Sequence, residues 1–364
     1  MSRSIRRFGI PIVVILVLWI LFYNFEPRRT AYSCRTFWSC VGFGSRNAYG
    51  YSAHYDSLPL EQEKTLNDGT LRFTREAHEA DPELLFLVLV KDAASWSSDF
   101  RSSSRSTYDL LDILVGSGLD LSTISLAIMV SSPEVYEEAK TATGRLPFAR
   151  VSLLQHRNTA SDVEYRDRHN PAVQLARRSA LAALRNRLMV SALRDEKHIV
   201  WLDADVVEMS DGVVQAMLHQ ADVNEDAGII TVMCHQNQMD NYDKNAWKLS
   251  SNANLLGVID DAGRQEAISR LVETRQMLPE LVQGTQDDEL VGIDSVGGTL
   301  LYIRAELVRQ GVNFPHFNVV GTTWSQFGWI GVETEGICYM ARGLKGGGCY
   351  VLGGHHHVRH ADWG

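Results

Sequence analysis

Apolar runs alternate with amphipathic stretches between residues 84 and 202. Leu84 to Val90 is an uninterrupted apolar run followed by polar and small residues, which predicts a buried parallel strand with a loop at its carboxyl end. Residues 102–118 then carry leucines at helical spacing and end in glycines. The same rhythm continues with strands predicted at 122–132, 149–155 and 199–202 and helices at 133–143 and 171–193. This alternation predicts an α/β domain with a mostly parallel central sheet.

The amino terminus has a different pattern. Residues 8–25 carry no charge and follow three arginines, and their length approaches the roughly 20 residues that cross a bilayer as a helix. They predict a transmembrane signal anchor with a cytoplasmic tail at residues 1–7. A cleaved signal peptide is the alternative, but charged residues follow the apolar run where a small-residue cleavage site would be required. Residues 26–80 are polar with little periodicity and predict a lumenal stem, which leaves residues 81–364 as the folded domain.

Composition narrows the function classes. The chain is 45% hydrophobic and 22% charged, so it can bury a sizeable core. Its net charge of −9 argues against a nucleic-acid partner, since phosphate binding needs a basic surface. Five cysteines fit an oxidising compartment, and none forms the C-x-x-C pair typical of zinc sites.

Two carboxylates end the strand predicted at 199–202. In "HIVWLDADVVEM", Asp203 and Asp205 lie where ligands bind in open α/β sheets, beyond the carboxyl end of a strand. Side chains at i and i+2 of an extended segment point the same way, so both could face one Mg²⁺ or Mn²⁺ ion. The alternative is that one aspartate caps the following helix and the other is solvated, although Asp211 before "GVVQAMLH" offers a better helix start.

Two enzyme classes carry such a motif. Phosphatases with D-x-D-x-[TV] match "DADVV", and the Asp287-Asp288 pair could supply their downstream acids. Their motif follows the first strand of the domain, however, whereas here two strand–helix units precede it. Nucleotide-sugar transferases place the motif about a hundred residues past the first strand, a separation that this chain shows.

The sequence downstream distinguishes between these classes. From "WLDADVVEMSDGVVQAMLHQ" through "IDSVGGTLLYIRAELVRQGVNFP" to "GVETEGICYMAR", the chain resembles the fungal Golgi α-mannosyltransferases of the mannan polymerase family. The resemblance implies a GT-A-like nucleotide-sugar-binding fold and a single-pass type II protein of the Golgi membrane with a lumenal catalytic domain at residues 81–364.

It also implies an activity. The expected reaction transfers mannose from GDP-mannose to mannan or N-glycan acceptors, with retention and with Mn²⁺ as cofactor (Mg²⁺ being possible). Homologous subunits of a mannosyltransferase complex are the implied partners. Two alternatives stay open, a metal-dependent phosphohydrolase and a non-catalytic subunit of such a complex.

The resemblance carries over to particular residues. It implies that the aspartate pair binds metal and donor, that an acid lies near the sugar and acceptor, and that a loop and two glycines approach the nucleotide. These further residues are Asp294 for the acid, Lys91, Asp92 and Ala93 for the loop, and Gly297 and Gly298 for the glycines.

The remaining candidates carry alternatives of their own. Glu333 and Glu335 are expected to face the acceptor, or simply to lie at a helix amino terminus, which favours acids. Arg177 and Arg178 are expected to clamp phosphate, or to lie on a solvated helix face together with Arg185. His360 best matches the family's metal-binding histidine. His355, His356 and His357 match it less well.

Overall fold

The computed structural model describes residues 59–78, 80–100, 103–156, 171–249, 275–317 and 331–361, with 263, 266 and 273 as isolated positions. These residues fall within the compact unit Ser57–Gly364, and the unit Met1–Asp56 lies outside them. The predicted tail at 1–7 and anchor at 8–25 therefore lie outside the described residues. Within the described ranges, no helix has the length and apolar character needed to cross a membrane.

Strands and helices alternate as the sequence pattern predicts. The strands are β1 Leu60–Thr65, β2 Leu71–Glu76, β3 Leu84–Val90, β4 Ile124–Val130, β5 Arg150–Gln155, β6 His198–Leu202, β7 Val206–Met209, β8 Ala227–His235, β9 Trp247–Lys248, β10 Gln276–Met277, β11 Leu290–Gly292, β12 Leu300–Arg304 and β13 Gly348–His360. The helices are α1 Thr107–Gly116, α2 Pro133–Thr143, α3 Pro171–Ala192, α4 Val213–Val223, α5 Leu278–Val282, α6 Ala305–Arg309 and α7 Thr334–Ala341, with a 3₁₀ turn at Ala93–Trp96.

The large sheet has a parallel half and a mixed half. Its order is β1-β2-β5-β4-β3-β6-β12-β8-β13-β11, and β7 pairs with β13. Strands β5, β4, β3 and β6 run parallel, as predicted. Beyond β6, β12 is antiparallel to both of its neighbours, whereas β8 and β13 pair in parallel. The α/β class is thus confirmed, and the whole sheet is mixed.

Helices cover both faces of the sheet. Side chains alternate along β3, so Phe86 and Val88 join one buried cluster and Leu85 and Leu87 the other. The first cluster includes residues of α1, α2 and α4, and the second includes residues of α3 and α7. Burial on both faces explains why β3 and β4 are continuous apolar runs.

The sheet begins earlier than the sequence predicted. Residues 60–76 were expected to be stem, but β1 and β2 form a hairpin in which β2 pairs with β5 along six residues. Phe73 is buried in the core, and Arg75 donates to the carbonyls of Thr143 and Leu146 at the end of α2. The alternation in "LRFTRE" is too short and too charged to stand out, so the predicted stem boundary at residue 80 is wrong.

Strand direction determines which loops can meet. Because β6 and β8 are both antiparallel to β12, they run the same way, as do β3 beside β6 and β13 beside β8. The carboxyl ends of these four strands therefore lie at one edge of the sheet. The starts of β8 and β13 lie at the opposite edge.

Candidate active site

The D-x-D turn leaves the carboxyl end of β6 and is held by a buried arginine. The amide of Asp203 donates to the Thr299 carbonyl (3.0 Å). Arg105 donates to the carbonyls of Ala204 (3.3 Å) and Val206 (2.5 Å), and also to that of Trp96 (3.1 Å). Arg105 thus joins the loop after β3 to the backbone around both aspartates. Sequence reasoning missed it, because it lies in a serine-rich stretch without a motif.

Arg185 of α3 connects two carboxylates of the site. Its Nη2 donates to Asp203 Oδ1 (3.0 Å), and its Nε lies 2.7 Å from Glu333 Oε1. The guanidinium is buried and lies over the rings of Trp201 (4.9 Å) and Phe314 (5.5 Å). Its Nη1 is buried without a hydrogen-bond acceptor among the described residues. A buried cation with a spare donor is suited to an anionic ligand.

The surroundings of Asp203 disfavour its ionised form. Burial raises its pKa, Arg185 opposes that rise, and the nearby Asp205, Glu333 and Asp243 add to it, which together bring the pKa to about 7. Such crowding of carboxylates favours the arrival of a cation.

His360, at the end of β13, faces the second aspartate. Its Nδ1–H donates to the Ala361 carbonyl (2.7 Å), which directs Nε2 to Asp205 Oδ2 at 2.8 Å. Burial lowers the pKa of His360, but Asp205 outweighs this, so the pKa is raised overall. The carboxylate therefore holds a proton on Nε2, and a metal ion would displace that proton.

The ligand atoms of Asp203, Asp205 and His360 are of the types that bind a divalent metal ion. Two carboxylates and an imidazole suit Mn²⁺ or Mg²⁺, the first more readily accepting nitrogen. Among the described residues, no group of three such side chains is already arranged around a common point. Asp203, Asp205 and His360 are nevertheless the set that the structure brings to one edge.

The predicted nucleotide loop lies at the same edge. Lys91 follows β3, whose residues pair in register with β6 up to Leu87 and Trp201. Asp92 caps the 3₁₀ turn by accepting from the Ala94 amide (3.0 Å). Its carboxylate therefore has a structural role, while Lys91 and Ala93 are exposed.

Glu333 and Glu335 are buried and ion-paired, so they are more than helix-terminal acids. Glu335 accepts from Arg178 (3.2 Å) and from the Trp247 indole (3.1 Å). Burial raises the pKa of Glu335, and Arg178 opposes that rise. Arg178 also donates to Asn245 Oδ1 (2.7 Å). Arg178 of the predicted phosphate clamp is thus already hydrogen-bonded to protein groups, whereas Arg185 contacts Asp203 of the D-x-D turn.

The glycine pair serves the protein's own side chains. Asp243 accepts from the Gly298 amide (2.7 Å), and a Cβ on Gly297 would clash with the Asp243 carboxylate. A Cβ on Gly298 would press on Arg185. The expectation that the backbone at both glycines approaches the ligand stays a prediction, and the structure shows protein side chains beside each of them. Asp243, in "MDNYDKNAW", was missed for lack of a recognisable spacing.

Asp294 lies elsewhere. It pairs with Arg342 (2.6 Å) and accepts from the Leu249 amide (2.8 Å) just after β11. The end of β11 pairs with the start of β13, at the edge opposite the D-x-D turn. The expected role of Asp294 near the sugar and acceptor stays a prediction, and in the structure its carboxylate is paired with Arg342.

The acids required for a phosphatase are used differently. Asp287 and Asp288 pair with His355 (2.8 Å) and His356 (2.7 Å) of β13. Asp203, the nucleophile in that reading, is ion-paired with Arg185 and follows the fourth strand of the parallel set. Neither feature fits the phosphohydrolase alternative.

Arg177, the other arginine of the predicted phosphate clamp, lies half-buried on α3.

Comparison with known proteins identifies the family. The profile of the Anp1 family matches residues 63–318, most of the chain. The chain belongs to the Anp1 family. The resemblance to the mannan polymerase family is confirmed, and the family match begins inside the β1–β2 hairpin.

Relatives of this Anp1-family chain include the mannan polymerase complex subunit mnn9 of Schizosaccharomyces pombe, 31% identical over 63% of this chain and 69% of that protein. The Candida albicans subunit MNN9 is 30% identical over 55% of this chain and 54% of that protein. The S. pombe mannan polymerase II complex anp1 subunit is 23% identical over 98% of this chain and 78% of that protein.

Solved structures give a weaker likeness. A mannosyltransferase from Pyrobaculum calidifontis in complex with GDP-Man and Mn²⁺ is 11% identical, covering 77% of this chain and 57% of that chain at a TM-score of 0.41. At that score, function has to be argued from the site itself.

Proposed function

We propose that this chain is a glycosyltransferase that transfers mannose from GDP-mannose to mannan or N-glycan acceptors, with retention, to form α-mannosidic linkages. The observation that carries the proposal is the meeting of Asp203, Asp205 and His360 at the carboxyl edge of the sheet, with Arg185 beside them. Membership of the Anp1 family, with relatives named as mannan polymerase subunits, supports the choice of mannose.

The residues of the site have separate roles in the proposed reaction. Asp203, Asp205 and His360 would hold Mn²⁺, which supplies positive charge to the departing diphosphate. Arg185 has a buried donor to spare for the same charge. Lys91 and Ala93 are exposed at the neighbouring strand end, where a nucleotide would extend. Glu335 is held by Arg178 and Trp247 in a fixed orientation, as an acid facing an acceptor hydroxyl requires.

The membrane topology, location and partners of the protein are also proposals. We infer a type II protein of the Golgi membrane, anchored by residues 8–25, with a stem ending near residue 57 and a lumenal domain that works beside homologous subunits. Relatives named as complex subunits support the partners. Protease added to intact vesicles should leave the domain after residue 80 undigested, and its digestion without detergent would overturn the topology.

A donor panel tests the reaction. The purified protein is incubated with GDP-mannose, UDP-sugars or GDP alone, a mannose oligomer and Mn²⁺, Mg²⁺ or chelator, and nucleotide release and product linkage are measured. Mannose transfer from GDP-mannose that stops on chelation is the expected result. Transfer from a UDP-sugar instead, or phosphate release without transfer, would refute the proposal.

The names of the relatives favour a second candidate, a non-catalytic subunit of a mannosyltransferase complex. The discriminating measurement is GDP-mannose turnover by the chain alone and with a co-purified homologous subunit. Turnover only with the partner, unchanged when Asp205 is replaced by Asn, would favour the silent subunit.

A further inference from the structure

A second polar cavity lies beside the carboxyl end of helix α7 and does not include the D-x-D turn. It has a volume of about 320 Å³ and is lined mainly by Asp226, Lys248, Gly292, Asp294, Arg342 and Tyr350. Asp226 precedes β8 and Tyr350 is near the start of β13, so the cavity is at the opposite edge of the sheet. Helix α7, with eight residues at roughly 1.5 Å per residue, spans about 12 Å between the segment of Glu335 and the cavity.

The charges of the lining cancel. Two carboxylates, Asp226 and Asp294, face two cations, Lys248 and Arg342. Asp294 pairs with Arg342 at 2.6 Å, and the Tyr350 hydroxyl donates to Asp226 at 2.8 Å. The Asp294–Arg342 ion pair and the Asp226–Tyr350 hydrogen bond therefore hold these side chains in place, and each charged group has further donor or acceptor positions for a ligand.

The walls combine this polarity with an aromatic ring and open backbone. Tyr350 is opposite Gly292 in the β11–β13 pairing, and a Cβ on Gly292 would only reach van der Waals contact with the ring. Three glycines and the Cys338–Cys349 disulfide complete much of the lining. An amphipathic ring beside fixed polar pairs can bind a ligand that has both apolar faces and hydroxyl edges.

The chemistry excludes other ligand classes. A nucleoside diphosphate would be repelled by the two carboxylates, and a metal ion would be repelled by the two cations. An apolar ligand would remove water from all four charged groups and offer no hydrogen bonds in return. A neutral polyhydroxyl ligand can donate to the carboxylates and accept from the cations. A cavity at the low end of ligand-site volumes, roughly 300 Å³, suits one sugar unit.

We propose that this cavity is a glycan-binding site that holds one sugar unit of a mannose-containing chain away from the donor site. The identity of the sugar rests on the proposed function, whereas the neutral polyhydroxyl class rests on the lining. Helix α7 connects the two regions, since Glu335 lies in its first turn and Arg342 follows its last residue. A glycan engaged here would be retained by the protein between transfers.

Three variants of the full chain test the site. Lys248→Ala with Arg342→Ala removes both cations, and Gly292→Leu fills the cavity from a position with room for a Cβ. Lys345→Ala is the control, because Lys345 is 85% exposed and lies three residues past Arg342, outside the lining. Thermal unfolding verifies that each variant is folded. Calorimetric titration with a mannose oligomer, without donor or metal, then measures binding.

The expected result is at least tenfold weaker binding by the double variant and by Gly292→Leu, with the control unchanged. Transfer to a single-mannose acceptor should stay normal, while the KM for a long acceptor rises. Unchanged oligomer binding in both folded cavity variants would overturn the site. Absence of transfer in every protein would count against the proposed function alone, since the titration needs no turnover.

Discussion

Arg185 is the residue on which the site depends for its shape. It contacts carboxylates from two separate chain segments, Asp203 after β6 and Glu333 before α7, and it is buried over two aromatic rings. Removing one partner of a buried ion pair leaves uncompensated charge. This single guanidinium therefore connects the D-x-D turn to the amino terminus of helix α7.

Replacing Arg185 by Gln should lower the free energy of unfolding by about 3–5 kcal/mol, the usual cost of breaking a buried pair. Arg194→Gln is the matched control, since Arg194 forms a surface pair with Glu76 (2.8 Å) just past the same helix and should contribute no more than about 1 kcal/mol. Urea denaturation measures both. Equal losses would show that burial of the Arg185 pair has no special weight.

Metal affinity should depend on pH through the same cluster. The pKa of Asp203 is raised to about 7 and that of His360 is also raised, so both bind protons that a metal must displace. Affinity for Mn²⁺ should thus be about tenfold weaker at pH 6 than at pH 8, as displacement of one proton near pH 7 requires. Titration of Mn²⁺ by calorimetry or electron paramagnetic resonance checks this. A flat profile would contradict the assignment of these ligands.

The stability of the metal-free protein should show the opposite sign. An acid whose folded pKa lies above its unfolded value destabilises the native state when ionised, so this cost grows as pH rises from about 4 to about 7. Without metal, Asp203→Asn should therefore unfold no more easily than the parent protein at pH 8.

At the scale of elements, the sequence pattern predicted the strands and helices between residues 84 and 202 and their parallel sheet, but not the β1–β2 hairpin or the side-chain contacts that join distant segments. β3, α2 and β6 follow from apolar periodicity and a proline at a helix start. The side-chain contacts could not be predicted in this way. Arg105 contacts a residue about a hundred positions away, and Arg185 contacts Glu333 across a longer gap in the sequence. No local pattern encodes such contacts, so the D-x-D pair and His360 were visible in the sequence while Arg105 and Asp243 were not.

Helix α7 depends on a glycine for its position. A Cβ on Gly336 would clash with the Gly331 carbonyl and the Pro315 ring, whereas Gly343 has open space around it. Gly336→Ala should lower the free energy of unfolding by about 1–3 kcal/mol or more through overpacking and displace Glu333 and Glu335. Gly343→Ala should stay within about 0.5 kcal/mol. Denaturation curves of the two variants decide the matter, and similar stabilities would show that α7 is not packed this closely.

At the scale of the whole molecule, the β1–β2 hairpin belongs to the sheet. A chain beginning at Asp81, the predicted domain boundary, would leave the edge of β5 unpaired and remove the buried Phe73. It should unfold at a clearly lower temperature than a chain beginning at Ser57, by an amount that reflects at least the roughly 3–5 kcal/mol of a deleted core phenylalanine. Identical melting temperatures would return these residues to the stem.

The two edges of the sheet give the molecule two functional ends. Carboxylates, His360 and Arg185 gather where β3, β6, β8 and β13 finish, and the neutral cavity lies where β8 and β13 begin. In the proposed arrangement, donor chemistry and glycan retention take place at separate sites, and α7 is the element that extends between them.

Asp203 and Asp205 are proposed to act on the donor through a metal ion. The most direct test is the affinity for GDP-mannose with and without Mn²⁺, in the parent protein and in the Asp203→Asn and Asp205→Asn variants. The parent protein should bind the donor more tightly with Mn²⁺, and both variants should lose that gain while transfer falls by roughly 10²-fold or more, as when a main electrostatic contribution is removed. Variants that still bind Mn²⁺ and transfer mannose at the parent rate would contradict the account.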